Sequence, residues 1–492
     1  MNKQLKAISR TVFAMFIVLF FSVTMIQFVA ADELRDNEYN QRSIKNSYKV
    51  ERGSILVAGN PVAYSTPTGD EFRFQRQYAD GPMYAPITGY FSRYQGMTGL
   101  ESAMNQQLSG LSGSQFFTRL LRTITGEEPQ GNSVETTILP EAQAVAWEGL
   151  AGFEGAAVAL DYETGEILAM ASSPSYDPSL LSLNSNAQVI ANSAELEGDP
   201  DNPLFNRTIG GDLYHPGSTY KLIVAAAAIE SGAATPESTF PDPATLQLPQ
   251  SSAVLTNSWN GTCSDGTETT LMQAMVRSCN IPIAELTLSM DRNVVPDMAR
   301  AFGFEQELSV PLTVTPSVAP NPTDGAQAAL SSIGQLDVRS TPLQIAMVSA
   351  GIANDGVVMQ PELVSRVITP DLRTESAFEP TELSTPISPS TATSMQSMME
   401  QVVTAPNGSA RAAQIEGARV GGKTGTAENG LDANGDQLPY TLWFTGYAER
   451  DDRRVAVAVV IENGGGAAHG FAGSSQLSVE IGKQIMEAVL NQ

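Results

Sequence analysis

In the stretch HPGSTYKLIVAAAAIE, residues 215–230, Ser218 and Lys221 stand three positions apart where a proline-glycine turn runs into an alanine-rich helix pattern. A serine hydroxyl is a poor nucleophile at neutral pH, so a chain that uses one must set a base beside it. One helical turn carries a side chain back to the same face, which puts the lysine amine within reach of the hydroxyl. The amine is a base only when unprotonated, a state favoured by burial or by a second positive charge nearby. The apolar residues after Lys221 supply the burial. Alone this spacing is weak evidence, because on an exposed helix it is only a solvated face.

Two further stretches strengthen it. Ser278-Cys279-Asn280, in VRSCNIP, begins 60 residues after Ser218, and Lys423-Thr424-Gly425-Thr426, in VGGKTGTAE, begins 145 residues after Ser278. Each has a bland counterpart: Ser278 and Asn280 could cap a turn, Thr424 to Thr426 could form a β-bend, and Gln335 could be a buried amide. Occurring together in this order, they match a known S-x-x-K, S-D-N and K-T-G set for serine acyl transfer, with Cys279 in place of the middle aspartate. A serine-histidine-aspartate triad is disfavoured, since only His215 and His469 are available and no G-x-S-x-G surrounds a serine. Cys263 and Cys279 have fifteen residues between them and neither histidine has finger-like spacing, so no metal and no cofactor are expected.

Several elements must position these groups. Tyr220 to Ile229 has no breaker before Gly232 and predicts a buried helix. GAAVALDYETGEILAMASS predicts a hairpin with strands at 156–160 and 167–171. ARVGGKTGTAE, LPYTLWFTGYAE and RRVAVAVVIENGG read as three successive strands, and SSQLSVEIGKQIMEAVL has helical spacing. A sheet flanked by helices follows. Residues 231–260, 305–325 and 370–392 read as long loops.

Composition bounds the rest. A chain of 492 residues with 42% apolar content divides into two or three domains. Its net charge of -25 makes nucleic acid an unfavourable partner. Lys3, Lys6 and Arg10 precede an apolar run from Val12 to Ala31 that is long enough to span a bilayer, and Asp32, Glu33, Asp36 and Glu38 follow it. A secretory signal peptide has a shorter apolar core, so an uncleaved anchor is the favoured reading although Val29-Ala30-Ala31 could serve a peptidase. The charge bias places the N-terminus in the cytoplasm and the rest outside it. In that oxidising setting Cys263 and Cys279 are either a disulfide or two buried thiols, and both readings stand.

RGSI, TGYFSRYQGMTGLE, LDYETGEILAMASSPSYDP, HPGSTYK, SIGQLDVRSTPLQIA, KTGTAE and WFTGYAE together resemble the class B penicillin-binding proteins over most of residues 50–470, most closely an actinobacterial branch. The resemblance implies an α+β transpeptidase fold like that of serine β-lactamases, an antiparallel sheet flanked by helices. It divides the chain into a tail (1–10), a transmembrane anchor (11–31), a non-catalytic pedestal (32–151) and a transpeptidase domain (152–492). It implies that Ser218 attacks the D-Ala-D-Ala bond of a peptidoglycan stem peptide while Lys221 takes its proton. Ser278 and Lys423 would return a proton to the leaving amine, and Asn280 would hold the peptide amide and Lys221. Thr424 and Thr426 would bind the terminal carboxylate, Gly425 would leave the strand bare beside the substrate, and the backbone N–H groups of Ser218 and Thr426 would form the oxyanion hole.

Implied partners are the stem-peptide donor, an amine acceptor, β-lactams and a polytopic glycosyltransferase of the SEDS type. A class A β-lactamase uses a glutamate after its S-D-N segment, and no glutamate occurs from Leu308 to Pro361. That absence favours an acyl-enzyme that waits for an amine. About 120 residues between the anchor and Gly152 leave no room for a glycosyltransferase domain. A D,D-carboxypeptidase, or a β-lactam sensor or division scaffold without turnover, is the alternative.

Overall fold

The computed structural model describes residues 2–29, 50–70, 73–111, 130–211, 213–430, 434–435, 438–462, 464 and 476–492; His469 lies outside them. At the N-terminus, helix Asn2–Thr24 continues as a π-helical turn, Met25–Val29. The helix begins before the expected span and is long and apolar enough to cross a membrane from Lys3 to Gln27. Phe13, Phe16 and Phe20 point away from any protein surface.

Five strands form an antiparallel sheet in the order Arg419–Ala427, Thr441–Arg450, Arg453–Ile461, Gly155–Leu160, Ile167–Ser173. Strand side chains alternate between faces. Here Val455, Val457 and Val459 enter one core while Ala456, Ala458 and Val460 enter the other. Both faces are therefore dry, which requires helices on each. Pro140–Gly149 and Gln476–Leu490 cover the first face, and Pro342–Ala353, buried at every residue, covers the second. Beyond it lies helix Lys221–Glu230, whose residues 221–228 are all buried against helices Val294–Ala301 and Pro389–Thr404.

A second sheet has six strands in the order Thr374–Ala377, Val364–Ile368, Ser133–Thr136, Ile55–Val57, Asn60–Pro67, Phe74–Tyr78. Ile55–Val57 runs parallel to Ser133–Thr136, and the remaining pairs are antiparallel. The chain thus crosses the expected boundary twice. Residues 364–377 return to the N-terminal sheet, and helix Pro140–Gly149 packs on the five-stranded one. Beside the six-stranded sheet, buried Glu101 accepts from Arg52 Nε and Arg76 Nε, each at 2.5 Å.

The three stretches expected to be loops are not bare. Thr239–Pro241 pairs with Glu268–Thr270, Thr245–Gln247 with Val254–Thr256, and Leu308–Ser309 with Thr313–Val314. Thr374–Ala377 and Glu382–Ser384 are strands, and a helix starts at Pro389. Pairings of two to four residues are too short to show a period of two, so proline and serine dominated the reading.

Candidate active site

Gly217 opens the turn that carries Ser218. Its φ of 52° lies in the left-handed region, its N–H donates to Gly334 O at 3.1 Å, and a Cβ there would stand 2.7 Å from Thr426 O. Only glycine fits so close an approach at that dihedral. Gly217–Tyr220 is a 3-10 turn, tied by Thr219 Oγ1 donating to Pro216 O at 2.8 Å, and the α-helix follows at Lys221. The expected helix therefore starts one residue later, with Ser218 in the tighter turn before it. Ser218 is half-buried and Lys221 fully buried.

Lys221 Nζ donates to three acceptors at 2.8 Å: Ser278 O, Cys279 O and Asn280 Oδ1. These converge because Ser278 ends helix Leu271–Arg277 in a left-handed conformation, φ 64° and ψ 38°. Asn280 is fixed in turn, its N–H donating to Asn257 Oδ1 at 2.6 Å and its Nδ2 to Thr256 O at 2.8 Å. Cys279 is joined to Cys263 by a disulfide. Among the described residues Ser218 Oγ makes no side-chain hydrogen bond, so the Ser218–Lys221 contact is not the one this arrangement displays.

From the edge strand Arg419–Ala427, Lys423 Nζ donates to Ser278 Oγ at 2.7 Å and to Thr424 O at 2.8 Å. Ser278 thus meets one lysine through its carbonyl and the other through its hydroxyl. Thr424 Oγ1 donates to Ser409 Oγ at 3.0 Å. Thr426 is half-buried, its carbonyl facing Gly217. A Cβ on Gly425 would meet Trp443 Cβ at 2.9 Å, Thr219 Cγ2 at 3.0 Å and Pro216 O at 3.1 Å. Gly425 therefore makes room for the protein's own Ser218 turn.

The electrostatics favour a neutral Lys221. Burial, and after it the positive charge of Lys423, hold Lys221 well below the usual lysine range. Burial also pushes Lys423 down to about 7. Three acceptors around Lys221 Nζ act the other way. A neutral amine has two protons, so deprotonation must release one acceptor and turn a lone pair outward.

His215 takes no part in this cluster. Its Nδ1 lies 2.6 Å from Arg339 Nη1, and burial followed by the Arg339 charge lowers its pKa. Its carbonyl instead accepts from Trp443 Nε1 at 2.9 Å, which ties the approach to Ser218 to the sheet. Gln335 is half-buried. Among the described residues no three histidine, cysteine or acidic side chains gather as a metal site. Sequence reasoning missed Asn257, Gly334 and Ser409. Asn257 sits in a stretch read as loop, and the only local signal at Ser409 is the preceding Pro-Asn-Gly turn.

Residues 155–487 match the family described as penicillin binding protein transpeptidase domain, and residues 52–134 match the penicillin binding protein A dimerisation domain. The chain is 37% identical to peptidoglycan D,D-transpeptidase PbpA of Mycolicibacterium smegmatis over all of both chains. It is 38% identical to the protein of that name from Mycobacterium tuberculosis, over 100% of this chain and 99% of the relative. The crystal structure of PBPA from M. tuberculosis superposes with a TM-score of 0.84 at 36% identity, covering 90% of this chain and all of that one. Its penicillin G acyl-enzyme complex gives 0.83 at 37%, with the same coverage.

Proposed function

The chain belongs to the penicillin-binding protein transpeptidase family, and from that premise we propose that it is a peptidoglycan D,D-transpeptidase working through a Ser218 acyl-enzyme. The observation that carries the assignment of roles is the double engagement of Ser278. Its carbonyl accepts from Lys221 Nζ at 2.8 Å and its hydroxyl from Lys423 Nζ at 2.7 Å.

Neutral Lys221 takes the Ser218 proton as Oγ attacks the carbonyl between the two terminal D-alanines. Negative charge builds on that oxygen, where the N–H groups of Ser218 and Thr426 serve as donors. Thr426 suits this role because Arg419–Ala427 is an edge strand, whose outer N–H and C=O groups the sheet leaves unpaired. Ser278 O–H protonates the leaving nitrogen and is reprotonated from Lys423, whose pKa of about 7 suits it to exchange protons near neutrality. The C–N bond breaks, D-alanine leaves, and an ester to Ser218 remains. An acceptor amine then attacks that ester and gives its proton through Ser278 to Lys423; as the peptide bond forms the ester C–O bond to Ser218 breaks, and Lys221 returns the proton to Ser218 Oγ. Asn280, held by Asn257 and Thr256, positions Lys221 and the donor amide, while Thr424 and Thr426 bind the donor carboxylate.

β-Lactams enter by the same first step. Their acyl-enzymes last because no glutamate occurs from Leu308 to Pro361 to activate a water. Turnover on a D-Ala-D-Ala donor with an amine separates this reading from carboxypeptidase, sensor and scaffold roles. The N-terminal helix anchors the chain with residues 1–10 in the cytoplasm and the catalytic region outside, beside a SEDS-type glycosyltransferase. Ser218→Ala tests the central assignment: intact-mass measurement after benzylpenicillin treatment is expected to show one adduct on the wild type and none on the variant. An adduct retained at equal stoichiometry refutes Ser218 as the nucleophile.

A further inference from the structure

The loop between helix Pro389–Thr404 and strand Arg419–Ala427 brings a fourth segment to the site. Ser409 N–H donates to Val276 O at 3.1 Å, two residues before Ser278. Its side chain faces the other wall, where Thr424 Oγ1 donates to Ser409 Oγ at 3.0 Å. Gly408 fixes this course of the loop, since a Cβ there would lie 2.3 Å from Val402 O. Ser409 therefore spans the two walls that carry Ser278 and Lys423. It belongs to none of the three motif segments.

The direction of the Thr424 bond matters. A threonine hydroxyl has one proton and two lone pairs. In this arrangement Thr424 gives that proton to Ser409 and presents only acceptor capacity elsewhere. An anionic oxygen approaching Thr424 needs a donor, so the proton must turn toward the anion. If nothing replaced it, Thr424 would lose its contact with Ser409. Ser409 can reverse the bond, donating its own proton to Thr424 Oγ1 while Thr424 donates to the anion. Hydrogen bonds aligned in such a chain strengthen one another.

We propose that Ser409 is a positioning residue for carboxylate recognition, its hydroxyl forming with Thr424 a two-hydroxyl relay that reverses when the substrate's terminal carboxylate binds. This deepens the proposed function and rests on it, since it takes Thr424 as a contact of the donor carboxylate. Ser409 touches no reacting atom, and its effect passes through Thr424.

The test uses two acylating agents that differ only in the anion, benzylpenicillin and its methyl ester, on the wild type, Ser409→Ala and Ser409→Thr. Peptide mapping of the wild-type adduct to Ser218 comes first, and an adduct elsewhere would sink the proposed function rather than the relay. Ser409→Ala is expected to lower the second-order acylation rate with benzylpenicillin about tenfold, a loss equivalent to about 1.4 kcal/mol, near the upper end for one hydrogen bond between neutral groups. The ester is expected to slow by less than about twofold, and Ser409→Thr, which keeps the hydroxyl, to restore the benzylpenicillin rate to within about twofold of wild type. Equal slowing of both agents would make Ser409 a mere brace between the walls and overturn the relay. Unchanged rates with both would overturn it as well.

Discussion

Replacing Gly217 with alanine tests how tightly the Ser218 turn must sit against the edge strand. The new Cβ would lie 2.7 Å from Thr426 O and 2.9 Å from its carbonyl carbon, and ordinary contact begins at 3.4 Å. Relief therefore opens the gap between turn and strand by about 0.7 Å, the difference between those two contact distances. That gap separates the two N–H donors assigned to the oxyanion. A misplacement of about 1 Å in a reacting geometry costs roughly 10²-fold, so acylation is expected to fall about thirtyfold to hundredfold. Alanine at φ 52° also costs about 1–2 kcal/mol of stability through the left-handed backbone alone. Gly232→Ala isolates that cost. It lies just past the far end of the same helix, has φ 73°, and has nothing within 4 Å of the added Cβ. Both variants should melt lower than wild type, and only Gly217→Ala should acylate slowly when benzylpenicillin adduct formation is timed well below the melting range. If Gly217→Ala acylates within about threefold of Gly232→Ala, the spacing of turn and strand does not govern the reaction, and the oxyanion assignment falls with it.

Burial holds Lys423 at about 7 in the folded chain against 10.5 for an ordinary lysine, so between those values the unfolded chain binds the extra proton. Stability therefore rises with pH across that window and is lost as pH falls through about 7; Lys221, lowered by burial and by Lys423, adds a slope of the same sign. Denaturant titrations at several pH values in the window should give a steeper rise for wild type than for Lys423→Met, and equal slopes would reject the depressed pKa. In the pedestal, Glu101→Gln leaves Arg52 and Arg76 buried without their carboxylate. The loss should be about 3–5 kcal/mol, visible as an earlier transition in scanning calorimetry, whereas a melting curve superimposable on wild type would show that the triad contributes little.

The sequence disclosed the site more fully than the fold that surrounds it. Ser218, Lys221, Ser278, Asn280 and Lys423 stand out because each motif is local, and acyl transfer restricts the residue types that can serve. The five strands of the central sheet were legible for a related reason: alanine and valine runs bounded by turns have few other uses. The six-stranded sheet was not, since Ile55–Val57, Ser133–Thr136 and Val364–Ile368 come from three distant parts of the chain and their pairing leaves no local trace. Ser409 and Asn257 were hidden for the opposite reason. Each is a common polar residue in a loop, and only the fold sets Ser409 beside Thr424 and Asn257 beside Asn280.

The contacts of Lys221 also bear on how the site works as a base. An amine buried with no acceptors would be neutral and inert to pH, whereas one with three acceptors in the open would stay charged. Lys221 combines both, with complete burial and a lysine neighbour on one side of the balance and three acceptors at 2.8 Å on the other. Two of those acceptors are backbone carbonyls held by the left-handed turn at Ser278, and the third is the side chain of Asn280. The side-chain contact is the one that can yield without moving backbone. When the amine is neutral, the proton on the Asn280 side is the one it can give up while keeping both backbone contacts, which leaves its lone pair on that side. On the proposed function, a donor amide that takes up Asn280 Oδ1 would favour the neutral amine, so substrate binding at Asn280 and the base form of Lys221 would be coupled.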